Sequence, residues 1–167
     1  IIDLSIEEII IVCDLISKNW QSKKSKVYNV LLKNNLGFLI GWLKKGNLRR
    51  NLQINFGDID LLKEGLKVNK NGMTLNPKGT IVHWIAGNVP VLGLISLFQG
   101  LITKNKNIVK APKNYKTILP VLLEDIAKMK FRIKNKTING KNLFHSTIVV
   151  YAERLDHEAH KSLSINA

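Results

Sequence analysis

The sequence predicts an α/β protein in which a helical N-terminal segment, residues 1–78, precedes a parallel sheet with helices on its faces, residues 79–167. Three observations carry this. Short apolar runs at Thr80–Ala86, Ile108–Ala111 and Ser146–Tyr151 alternate with stretches of helical periodicity, as strands joined by crossover helices do. Over residues 5–20 and 26–45 the apolar positions recur at helical spacing instead. The 167 residues are 45% hydrophobic and 23% charged, ordinary values for one globular domain that buries a core without a disulfide or metal staple.

The first helix is expected over residues 5–20. Ser5 with Glu8 three residues later is a capping box, and Leu4 can staple against Ile9. Ile9, Val12, Cys13 and Ile16 then share one face. Cys13 is the sole cysteine, which excludes an intrachain disulfide and a multi-cysteine metal site. On that stripe it reads as a small buried hydrophobe and not as a nucleophile. A second amphipathic helix is expected over 26–45, with Val27, Val30, Leu31, Phe38, Leu39 and Trp42 on its apolar side. Gly37 and Gly41 weaken it, and Asn34-Asn35 threatens to interrupt it. Residues 46–66 are mixed, with a short helix over Asp58–Leu66. Residues 67–79 read as turns and short strands around Asn71-Gly72 and Asn76-Pro77.

From Gly79 the character changes. Thr80–Ala86 is a strand, broken by Gly87-Asn88-Val89-Pro90; Pro90 suits the first turn of a helix over Val91–Thr103. Ile108–Ala111 is a second strand, stopped by Pro112. A helix over Tyr115–Met129 carries Pro120 near its start. Lys128–Lys134 alternates basic and apolar residues, which fits a strand with a solvated basic face or the end of a basic helix. Ser146–Tyr151 is the third strand and Asp156–Leu163 the start of a third helix.

The formal charge is +14, which permits nucleic acid, membrane surfaces or phosphorylated cofactors as partners. Lysine supplies nearly all of it; only Arg49, Arg50, Arg132 and Arg154 offer the bidentate fork that base readers favour. The excess therefore argues for a lysine-rich composition more than for a nucleic-acid face. No apolar run is long enough to span a bilayer and no signal peptide is visible, so a cytoplasmic protein is expected. His157-Glu158-Ala159-His160 spaces its histidines three apart, not the four a helical zinc pair requires. His83, inside a strand, reads as a satisfied core histidine.

The informative segment is His83-Trp84-Ile85-Ala86-Gly87-Asn88-Val89-Pro90, with Lys110 at the end of the next strand. Ligands bind at the carboxyl ends of strands in open α/β sheets, and both Asn88 and Lys110 fall there. This segment resembles the acyl-CoA reductase family, whose best-known members serve bacterial luminescence and which branches from the aldehyde dehydrogenase superfamily. The resemblance extends to Ser146–Tyr151 and Asp156–Ala167.

The resemblance implies that residues 79–167 are the first half of a Rossmann-like, aldehyde-dehydrogenase-type cofactor domain. It implies NADPH-dependent reduction of a fatty acyl-CoA or acyl-protein thioester to the aldehyde through a cysteine-bound acyl group. Asn88 takes the catalytic role of donating to the developing oxyanion. Lys110 takes the ribose contact, with Gly87, Pro112 and Lys113 beside it in the cofactor site and no metal. Where NAD-preferring relatives carry an acidic residue, this chain has Lys113, and Lys104–Lys116 contains five lysines and no carboxylate. That local field favours NADPH. The chain begins at Ile1 rather than methionine, so a fragment is expected, inactive alone and completed by the remainder of the reductase chain, with oligomer formation left open. Two readings stand beside this one: a small basic binding module for nucleic acid or an acidic partner, and an unrelated flavodoxin-like nucleotide binder.

Overall fold

Ser5 Oγ accepts from Glu8 N at 3.2 Å while Glu8 Oε2 accepts from Ser5 N at 2.8 Å, closing the expected capping box at the start of α1, Ile6–Gln21. The computed structural model describes residues 4–57, 76–153 and 155–165. One face of α1 buries Ile9, Ile10, Cys13, Ile16 and Trp20. Full burial of a large apolar side chain contributes about 1.5–3 kcal/mol, so this face anchors the helical layer.

The second helix is shorter than its periodicity suggested. α2 covers Lys26–Lys33, capped by Ser25, and the chain then turns at Asn35, whose φ is 56°. Leu36 N donates to Leu31 O at 2.7 Å across this turn, and α3 resumes at Phe38–Trp42. Asn34-Asn35 is thus the interruption the sequence hinted at, since asparagine tolerates the left-handed region.

α4, Lys45–Phe56, was not expected as a helix. Its own cap residue, Lys44, makes no side-chain cap, but Lys45 N donates to Asp14 Oδ1 of α1 at 2.9 Å. The cap comes from another helix, so no local signal marks it. The expected helix over Asp58–Leu66 and the Asn71-Gly72 hairpin lie outside the described residues. Asn76-Pro77 stands in irregular backbone before the sheet.

β1 spans Thr80–Trp84, α5 Pro90–Ile102 and β2 Lys106–Ala111. A 3₁₀ turn over Lys113–Thr117 precedes α6, Leu119–Lys128, in place of one helix from Tyr115; Pro120 lies in its first turn. β3, Lys130–Ile133, buries Phe131 and Ile133 and exposes Lys130 and Arg132, the strand with a basic solvent face. It pairs antiparallel with β4, Lys136–Asn139, through a two-residue turn in which Lys134 has φ 52°. That hairpin went unmarked because Lys134-Asn135 is not one of the usual turn pairs. β5, Thr147–Tyr151, and α7, His157–Ile165, complete the chain's described elements.

Strands β1, β2 and β5 form a parallel sheet in the order β1-β2-β5. The expected α/β class and three-strand parallel sheet are therefore present. α1 packs against α3, α4, α5 and β3, and Trp20 Nε1 donates to Asp125 Oδ2 of α6 at 2.8 Å. A continuous set of buried apolar side chains runs from α1 to α6 and the β3–β4 hairpin. Gly93 presses α5 against β1 so closely that a Cβ there would collide with Ile85.

Candidate active site

Register decides what meets at the carboxyl edge. Trp84 pairs with Lys110, and Lys110 with Val150. Ile85 N donates to Lys110 O at 2.9 Å, and Ala152 N to Ala111 O at 3.3 Å. The turn at Gly87–Asn88, the Lys110–Lys113 segment and Glu153 consequently emerge from three adjacent strand ends. Asn88 is exposed in its turn and makes no side-chain hydrogen bond among the described residues.

The turn is held from below. Tyr115, buried in the 3₁₀ turn after β2, donates its hydroxyl to Gly87 O at 3.1 Å. Burial holds its phenol above the usual range. Pro112 Cγ lies 4.0 Å from where a Cβ on Gly87 would sit, an ordinary contact, and Gly87 does not have a positive φ. Among the described residues, neither a left-handed backbone nor a close approach by another part of the chain therefore requires glycine at this position. The space in front of Gly87 stays open.

Lys110 is 7% exposed, yet no hydrogen bond or ion pair joins its ammonium to another described residue. It shares its sheet face with Trp84 and Val150, its register partners. Trp84 meets His160 of α7 edge-on at 4.9 Å, and His160 Nε2 is buried without a partner. Such atoms usually find a partner in protein or ordered water.

Lys113 is differently placed. Its Nζ lies 2.8 Å from Glu153 Oε1, with both side chains exposed. The Glu153 hydrogen bond and charge hold the Lys113 ammonium above its usual pKa. Lys113, more weakly assisted by the charge of Lys110, holds the Glu153 carboxyl below its own, against the charge of Asp156. Lys116 Nζ sits 5.7 Å from the Tyr151 ring centroid. The lysine-only stretch read from sequence thus acquires a carboxylate from the end of β5. Tyr115 and Glu153 were both missed, because nothing local links them to the motif.

On the opposite face, towards α5, His83 is 4% exposed. Its Nδ1 lies 2.8 Å from Ser96 Oγ and its Nε2 2.8 Å from Asn107 Oδ1. Asn107 Nδ2 donates to Asn105 O at 2.9 Å, which leaves Oδ1 for the imidazole and puts the ring proton on Nε2. Burial pushes the imidazole pKa down, opposed by the Asn107 bond. His83 is the satisfied core histidine the sequence suggested. Among the described residues no group of three or more His, Cys, Asp or Glu side chains is placed to hold a metal ion. Likewise no described helix is long and apolar enough to cross a membrane.

Fold and edge together define an α/β protein whose parallel strands present an amide and a cluster of lysines at their carboxyl ends. A family model described as acyl-CoA reductase (LuxC) matches residues 1–167, and the chain belongs to that family. It is 28% identical over 124 residues to a long-chain acyl-protein thioester reductase of Aliivibrio fischeri, covering 65% of this chain and 26% of that protein. It is 33% identical over 66 residues to one from Photorhabdus laumondii, covering 40% and 14% respectively. Over 34 residues it is 50% identical to long-chain acyl-protein thioester reductase 2 of Photobacterium leiognathi, covering 20% and 7%. The matched segments therefore span about a quarter or less of each of these relatives.

Proposed function

We propose that this chain is the N-terminal part of a reductase that converts a long-chain fatty acyl thioester, on coenzyme A or on a protein, to the aldehyde with NADPH. One observation carries the reading. In a chain matched throughout by the acyl-CoA reductase model, β1–β2 pairing brings the Asn88 turn and Lys110 to one carboxyl edge. On this reading residues 79–167 are the first half of a Rossmann-like, aldehyde-dehydrogenase-type domain, preceded by the N-terminal segment 1–78.

The residues fit a dinucleotide. The Lys110 stem is fixed in the sheet while its ammonium has no protein partner among the described residues, which suits a ribose hydroxyl. Gly87 and Pro112 leave an open floor beside it. Lys113 can exchange an exposed carboxylate for a phosphate, because exposed ion pairs are weak. The cofactor supplies the hydride. Asn88 donates its amide N–H to the oxygen on which charge develops when the thioester carbonyl is attacked, and Tyr115 steadies the turn that carries it.

Cys13 cannot be the acyl carrier. It is buried in the α1 face, and burial, with the charge of Asp14, pushes its thiol up to about 12. The acyl-bearing cysteine therefore belongs to the remainder of the parent protein, and residues 1–167 alone are inactive. The test is aldehyde formation and NADPH oxidation by the full-length protein with a long-chain acyl-CoA, beside residues 1–167 expressed alone. Turnover by the first and none by the second is expected. A full-length protein that reduces no acyl thioester, or catalytic acylation of Cys13, would overturn the reading.

A further inference from the structure

The carboxylate that β5 delivers to the lysine cluster has a chemical consequence for the nucleotide. Glu153 follows Ala152, whose N–H bonds Ala111 O, so it emerges beside the end of β2. Its Oε1 accepts from Lys113 Nζ at 2.8 Å, and it lies within the field of the Lys110 ammonium. Lys116 is drawn to the Tyr151 ring instead. Among the described residues, Lys113 is the lysine at the end of β2 that forms an ion pair.

A carboxylate in this position treats two nucleotides differently. Towards a ribose 2′-hydroxyl it is an acceptor, and Lys113 can stay where it is. Towards a 2′-phosphate it is a like charge, and Lys113 must leave it to pair with the phosphate. We propose that Glu153 is a specificity-determining residue: it opposes Lys113 and limits how strongly the site prefers a 2′-phosphorylated nucleotide over its 2′-hydroxyl counterpart. This inference rests on the dinucleotide reading above. Glu153 and Lys113 are both exposed, so either side chain can swing without disturbing the sheet.

The test is calorimetric titration of the full-length protein with 2′,5′-ADP and with 5′-ADP, which needs no turnover. Wild type, Glu153→Gln, Lys113→Gln and the double variant are compared. Glu153→Gln should tighten 2′,5′-ADP by on the order of fivefold and leave 5′-ADP unchanged or slightly weaker. The gain should shrink in the Lys113→Gln background and with added salt. An unchanged ratio of the two affinities in Glu153→Gln, with both nucleotides still bound, overturns this inference and leaves the dinucleotide reading intact. Binding of neither nucleotide to wild type or variants overturns both.

Discussion

The two faces of the parallel sheet handle polar side chains in opposite ways. Towards α5, His83 and Asn107 are buried, and Ser96 and Asn105 complete a chain of hydrogen bonds in which every ring nitrogen is used. On the other face and along its carboxyl edge, Lys110 and His160 Nε2 make no hydrogen bond or ion pair among the described residues, and Asn88 is exposed in its turn. A satisfied buried network needs only the fold to explain it. Of these three groups His160 Nε2 is the one both buried and without a hydrogen-bond partner, and a buried atom of that kind calls for a water or another group to answer it.

The sharpest way to break this contrast is Asn88→Ala in the full-length protein. Loss of one oxyanion donor should lower turnover by about 10²–10³, near 2.7–4 kcal/mol, with cofactor affinity almost unchanged. Weaker cofactor binding at normal turnover would make Asn88 structural. On the sealed face the comparable probe is Gly100→Ala. A Cβ there would collide with Asn107 Oδ1, which is pinned between His83 and Asn105 and cannot move aside cheaply. The better helix propensity of alanine, about 1 kcal/mol, should be outweighed, for a net loss of about 1–3 kcal/mol in denaturant unfolding. A stabilised variant would show the network to be loose.

Lys113→Glu should cut the preference for NADPH over NADH by about tenfold in kcat/KM while NADH use stays near wild type. An equal fall with both cofactors would place the lysine's role elsewhere. Tyr115→Phe keeps the buried ring and removes only the bond to Gly87 O, so turnover should fall several-fold, about 1 kcal/mol, with the melting temperature barely shifted. Loss of stability without loss of turnover would mean that the hydroxyl serves packing. The smallest effect is expected at Cys13. With its thiol held near 12, alkylation at pH 8 should be negligible in the native protein and should appear only on unfolding, when the pKa returns to roughly 8.5.

What could be read in advance follows from how local each signal is. β1, β2 and β5 stand out as apolar runs, and α1 announces itself through Ser5 and Glu8. α4 does not, because Asp14 caps it from another helix. The long helix expected over 26–45 breaks at Asn35, where one residue's φ outweighs a good periodicity. In the candidate site, Asn88 and Lys110 lie in a contiguous motif and were visible. Tyr115 and Glu153 reach their partners only after the strands align, so charge counted residue by residue overstates the positive field of the folded edge.

The fixed tautomer of His83 also makes the imidazole a natural clock. Its Nε2 proton lies beneath α5, hydrogen-bonded to Asn107 Oδ1 and crowded by Gly100. A proton held in this bond trades with solvent only when the bond to Asn107 Oδ1 opens. Its nuclear magnetic resonance, read without any label, would time the opening of that bond beneath the crossover that begins at Pro90, two residues beyond Asn88.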